Sequence, residues 1–166
     1  MKKLVLVTLS LMLVNVLFGG SASPAAAQEP KILEFDTMEG VPSTLTGTQA
    51  SAAFRNVNAG GAPWTLTSAR GELTTSGHLE IEVVGLVLTT SGSNPSANFR
   101  GLVSCVKSDG TAENILTDNF PATTGPAISG GGNARIEADL TLPQPCFAPI
   151  VFVTSATGNW FAVTGN

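Results

Sequence analysis

One histidine, two cysteines, two tryptophans and twelve carboxylates carry most of the reactive chemistry this chain has to offer. His78 stands two residues before Glu80, and on an extended strand residues two apart share a face. A base and an orienting carboxylate in that arrangement are two parts of a serine-hydrolase triad. No Gly-x-Ser-x-Gly elbow accompanies them. A lone histidine beside a turn is more often a solvated surface residue, so no catalytic residue is assigned and His78 stays a binding candidate. Three groups of carboxylates offer a second chemistry: Glu34, Asp36 and Glu39; Glu80 and Glu82; and Asp109, Glu113 and Asp118. Oxygen sets of this kind hold calcium in exported β-domains, or form the acid and base pair of a glycosidase. The loop spacing of an EF-hand is absent, and acids that alternate with apolar residues face water; no metal ligand is assigned.

Trp64 and Trp160 are each either a stacking platform for a sugar or an anchor of the core, and they join His78 as binding candidates. Gly130, Gly131 and Gly132 have the composition of a phosphate cradle. No Gly-Lys-Ser/Thr follows them and the next element reads as a strand, so a glycine hinge is the reading adopted. Cys105 and Cys146 are the chain's two cysteines, and with one histidine available neither a metal pair nor a catalytic thiol is well supplied with partners. In an exported chain such a pair reads as a disulfide. No cofactor motif is present.

The elements that position these residues are strands. Ala134, Ile136, Ala138, Leu140 and Leu142 alternate with Arg135, Glu137, Asp139 and Thr141, the pattern of a strand with one wet face. Pro143, Pro145 and Pro149 bracket Cys146, and Ile150 to Val153 is a continuous apolar run suited to a strand covered on both faces. Asn98 to Lys107 carries Cys105 and is apolar on both faces, as a central strand would be. Leu79, Ile81 and Val83 alternate with His78, Glu80 and Glu82. The word LTTSG, at Leu73–Gly77 and again at Leu88–Gly92, marks two similar turns, because glycine accepts positive φ and threonine prefers the extended chain before it. Further strands are predicted at Lys31 to Thr37, Trp64 to Leu73 with a bulge near Gly71, Glu113 to Phe120 and Trp160 to Thr164. Ser51 to Val57 reads as a weak strand or irregular piece, Gly85 as a bend into a second sheet, and Pro121 to Gly132 as a long mobile loop. The class is all-β: a two-sheet β-sandwich, immunoglobulin-like or jelly-roll-like, of eight or nine short strands.

Lys2 and Lys3 precede an apolar run from Leu4 to Phe18, and Ala25, Ala26 and Ala27 follow. This is the layout of a signal peptide, 1–27, cleaved before Gln28 to leave a single domain, 28–166, secreted or periplasmic. The apolar run is short for a bilayer span, so no membrane span remains after cleavage. Loss of Lys2 and Lys3 takes the formal charge from −4 to −6. Such a surface disfavours nucleic acid and anionic lipid, and no basic cluster offsets it. The expected partner is an extracellular or envelope ligand; oligomeric state leaves no signature.

FRGLVSCV at Phe99–Val106, FPATT at Phe120–Thr124, PCFAPIVFVTS at Pro145–Ser155 and the ending WFAVTG at Trp160–Gly165 together resemble small secreted bacterial β-proteins with two cysteines, a family without an assigned activity. The resemblance covers most of the mature chain and implies export, the two-cysteine pattern and β structure; it transfers no catalytic residue. GVPSTLTG at Gly40–Gly47 and VVGL at Val83–Leu86 are similar to exported β-sandwich domains of the chordin-repeat type, whose histidine motif this chain lacks. The function these readings imply is an exported non-catalytic module that binds an envelope component, glycan or protein; the alternative is a small secreted hydrolase using His78 or a carboxylate pair.

Overall fold

The computed structural model describes residues 29–45 and 53–164; the segment 1–27 read as a signal peptide, Gly47, and residues 51 and 52 of the weak segment lie outside them. Strand segments follow one another as β1 (Lys31–Phe35), β2 (Met38–Gly40), β3 (Trp64–Thr65), β4 (Ser68–Thr74), β5 (His78–Val84), β6 (Val87–Leu88), β7 (Ser93–Asn94), β8 (Asn98–Val106), β9 (Ala112–Leu116), β10 (Phe120–Pro121), β11 (Gly125–Pro126), β12 (Ala134–Asp139), β13 (Phe147–Thr154) and β14 (Trp160–Thr164). Among the described residues there is no α-helix, and no helix long and apolar enough to cross a membrane. The all-β class is as the alternation predicts.

Two antiparallel sheets dominate. One has four strands in the order β1-β4-β5-β12; the other has six, ordered β10-β8-β13-β14-β2 with β9 also on β8. The pairs β7 with β11 and β3 with β6 form small ribbons. Leu73, Leu79, Ile81, Val83 and Ile136 of the first sheet and Phe99, Val103, Cys105, Val151 and Val153 of the second belong to one buried cluster. A Cβ placed on Gly101 of β8 would lie 2.9 Å from Leu79 and 3.3 Å from Ile136, so at that point the absence of a side chain lets the sheets approach. Burial of side chains of this size is worth about 1.5–3 kcal/mol each.

The double-sided strands take the central positions their sequences call for. β8 lies between β13 and the β9 and β10 segments, and β13 between β8 and β14. Part of the second face of this sheet is covered by the chain at Phe54–Ala59: Phe54 meets Phe152 edge-on at 6.1 Å, Asn114 donates to the Arg55 carbonyl, and Ala59 bridges to Trp160. Cys105 and Cys146 are bonded, linking β8 to the turn before β13 across a separation of 41 residues. On the loop-entropy account that closure stabilises by about 4 kcal/mol.

Several boundaries differ from the sequence reading. The strand expected at Lys31 to Thr37 is β1 but ends at Phe35: the chain leaves the four-stranded sheet at Asp36 and Thr37, and β2 joins the other sheet beside β14. The break in Trp64 to Leu73 falls at Leu66 and Thr67, not at Gly71, which stays in register opposite Ile81; there a Cβ would meet the Glu80 carbonyl at 2.1 Å and the Phe35 ring at 2.7 Å. At Gly85, φ 68°, the chain does bend into a second sheet, but a two-stranded one made with β3. Glu113 to Phe120 is divided around Thr117, whose hydroxyl accepts from the Gly101 N–H. Pro121 to Gly132, read as a loop, contains β11 and a 3-10 turn at Ala127–Ser129 held by backbone bonds such as Gly131 N–H to the Pro126 carbonyl. Both LTTSG words are turns, with Gly77 and Gly92 at φ 94° and 63°.

Candidate functional site

The outer face of the four-stranded sheet gathers most of the residues that the sequence singled out. Register places Glu34, Glu72, Glu80 and Glu137 directly opposite one another across all four strands, with Arg70, Glu82 and Arg135 in the adjoining row. Like charges opposite one another repel. Cations interleave them: Lys31 lies 2.9 Å from Glu34 and 2.6 Å from Glu72, Arg135 lies 2.7 Å from Glu80 and 3.3 Å from Glu137, and Arg70 pairs with Glu82. The Glu72 and Glu34 carboxylates in turn hold the Lys31 ammonium above its usual range.

His78 is also taken up in this pattern, but not by Glu80. Its Nδ1 is 2.8 Å from Asp139 Oδ1, because cross-strand neighbours on one face stand closer than neighbours two apart along a strand. The bond to Asp139 raises the histidine pKa, partial burial opposes the rise, and the charges of Asp139, Glu137 and Glu80 add to it. Ser76, the hydroxyl nearest in sequence, donates to Glu29 and accepts from the Thr74 hydroxyl. Thr74 and Ser76 line the same surface hollow as His78 and Asp139, but among the described residues no hydroxyl bonds His78 Nε2.

The remaining carboxylates do not converge. Glu34 and Glu39 sit on different sheets because the chain crosses between them. The Thr111 hydroxyl and backbone N–H lower the Asp109 pKa, and Glu113 stands 3.7 Å from Lys107. Among the described residues no three His, Cys, Asp or Glu side chains come together as a metal would require. The glycine run is packed and not a hinge: a Cβ on Gly131 would meet the Gly125 carbonyl at 1.9 Å, and one on Gly132 the Leu86 backbone at 2.3 Å.

Both tryptophans belong to the interior. Trp64 is 5 % exposed and stacks on Phe161 at 3.9 Å; Trp160 is 4 % exposed and tilts against Phe152. A sugar platform needs an open ring face, and neither has one. The extra residue of β14 opposite Val153 and Thr154 is a bulge that lets Phe161 turn inward to Phe99 while Trp160 stays on the opposite side of the sheet.

The sequence reading missed the open aromatic surface. Phe54 is 46 % and Phe147 54 % exposed. Phe147 stands opposite Val106, and Val106 shares a β8 face with Ser104 and Leu102, so Phe147 lies on the outer face of the six-stranded sheet, which the Phe54 segment only partly covers. Ile150, half-buried, continues that surface. Among the described residues Arg55, Asn56 and Ala148 are the non-glycine residues at positive φ, at 50°, 65° and 41°, and each stands one or two positions from one of these phenylalanines. Ile128, fully exposed, sits apart in sequence on the 3-10 turn after β11. Phe54 in a segment without period, and Phe147 behind a proline-cysteine turn, were the available signals. Comparison of the chain with protein-family models, with curated proteins and with solved structures returned no match.

Proposed function

We propose that this chain is an exported, non-catalytic binding module of the small two-cysteine β-protein kind, its two main sheets forming a β-sandwich, and that its ligand docks on the outer face of the six-stranded sheet around Phe54 and Phe147. The observation that carries this reading is the contrast in what each face leaves free. The titratable groups of the four-stranded sheet are engaged with one another in ion pairs, whereas the two exposed phenylalanines of the other face have apolar area open to solvent. Open aromatic area beside a disulfide-fixed strand pair is what a partner buries. The Cys105–Cys146 bond fits an oxidising compartment, in keeping with export and with a signal peptide ending at Ala27.

The test uses mature protein on arrays of bacterial envelope glycans and of secreted proteins. Saturable binding abolished by Phe54→Ser together with Phe147→Ser, and retained in His78→Ala, is the expected result. N-terminal sequencing of exported material should start at Gln28; an intact Met1 in a membrane fraction contradicts export. The alternative, a secreted hydrolase, has in its favour the His78–Asp139 bond, which orients an imidazole with Nε2 available. Ester, peptide or glycoside turnover that vanishes in folded His78→Ala would select it.

A further inference from the structure

We infer that the ligand of the Phe54 and Phe147 face is an acidic polypeptide segment, one that sets an apolar anchor beside a carboxylate, and that Arg55 is the residue that selects it. The inference rests on the docking face proposed above and specifies its partner.

Three observations converge on that chemistry. Phe54 and Val57 exchange both backbone hydrogen bonds, closing a two-residue hairpin with Arg55 and Asn56 at positive φ. This is the pattern of a type I′ turn, which normally asks for Asn-Gly. Asparagine tolerates it; arginine adopts it only under strain. Ala148, one residue from Phe147, carries strain of the same kind. Glycine would relieve either position, and each strained residue adjoins an exposed ring, Arg55 that of Phe54 and Ala148 that of Phe147.

Charge is the second observation. The Arg55 guanidinium donates one bond to the Ser104 carbonyl at 3.3 Å and, among the described residues, has no carboxylate within 4.0 Å, unlike Lys31, Arg70 and Arg135 on the opposite sheet. A half-buried guanidinium with N–H groups to spare beside apolar rings is matched by a carboxylate on the incoming partner, through two parallel N–H···O bonds.

The third observation separates a polypeptide from a polysaccharide. A sugar ring stacked on an aromatic also needs several convergent polar groups to meet its hydroxyls. Here few can be reached: the Asn114 amide donates to the Arg55 carbonyl, Lys107 faces Glu113, and the Ser104 hydroxyl, though without a hydrogen-bond partner, is buried out of a ligand's reach. Two benzyl rings, the flank of Ile150 and one guanidinium remain, which fits an apolar side chain with a neighbouring Asp or Glu.

A random-peptide display library selected on the disulfide-bonded protein tests this, with single enriched peptides then titrated by fluorescence anisotropy. Enriched sequences should place an aliphatic or aromatic residue within a few positions of Asp or Glu. Their affinity should fall at least tenfold in Phe147→Ser and in Phe54→Ser, at least fivefold in Arg55→Gln, and recover in part in Arg55→Lys. All four variants are first shown by circular dichroism to be folded. Peptides that require the phenylalanines but ignore Arg55→Gln and added salt overturn the acidic partner while leaving the docking face intact. Phe147-dependent binding of a uronate polysaccharide, with no peptide enriched, overturns the polypeptide. A Phe147-dependent dimer in sedimentation velocity assigns the face to a second copy and overturns it equally. Failure of every probe to bind overturns the docking face itself.

Discussion

The two sheets of this molecule treat their outer faces in opposite ways. On the four-stranded sheet, β4, β5 and β12 alternate apolar and charged residues, and the charged half meets water as interleaved rows of glutamate and basic side chains. On the six-stranded sheet, β8 and β13 are apolar on both sides, and the chain at Phe54–Ala59 folds over part of the second side. A strict period of two therefore reports a face left to solvent, whereas a continuous apolar run reports a second cover supplied from elsewhere in the chain. At the edge of that cover stand the exposed Phe54 and, among the described residues, a guanidinium with no carboxylate partner, both at a turn with positive φ.

The sharpest way to break the comparison is to remove a side chain from under the second cover. Phe152→Ala should cost about 4 kcal/mol, as large-to-small changes at fully buried aromatics do. Urea unfolding measures it; a loss under 1 kcal/mol would mean that the Phe54 segment does not pack on this sheet. Next in size is Ala148→Gly, which releases a β-carbon held at positive φ and should stabilise by about 0.5–1 kcal/mol. Thermal unfolding that moves downward instead would remove the argument from strain.

On the charged face effects should be smaller. Arg135→Ala leaves Glu80 and Glu137 opposite each other without their shared cation, a loss of about 0.5 kcal/mol for solvated pairs, larger at low salt. An unchanged midpoint at low ionic strength would show that the interleaving contributes nothing. The smallest effect is the pH dependence of His78. Its folded pKa is raised by Asp139, so the contribution of the pair is fully present below the unfolded histidine pKa and is lost as pH rises through the raised value. The difference in stability between the wild type and His78→Gln should accordingly be positive in acid and shrink toward zero on the alkaline side. NMR titration of the imidazole should show a pKa above that of a free histidine, and a lowered value would remove the pair from the account.

How much of this was legible in the sequence depended on whether a property was local. Leu79, Ile81 and Val83 point inward because a strand alternates its side chains, whatever it pairs with. The double-sided character of β8 and β13, the two LTTSG turns and the joining of Cys105 to Cys146 followed from the same short-range rules and from having two cysteines to pair. Asp139 as the partner of His78 was not legible, since 61 residues separate them and only the pairing of β5 with β12 aligns them. Nor was the split between β1 and β2 across two sheets: Asp36 and Thr37 are compatible with an extended strand, and the crossing depends on β14 offering an edge.

Phe54 and Phe147 mark the same boundary. Residue type alone says that phenylalanine is costly to leave in water, and by that rule both belong inside while tryptophans are free to serve a surface site. The tertiary structure reverses the assignment, burying Trp64 and Trp160 and leaving both phenylalanines half open. Periodicity within one strand determines which side a residue faces. Whether that side is covered depends on where distant segments of chain come to rest, and that is decided by the whole set of pairings folding together.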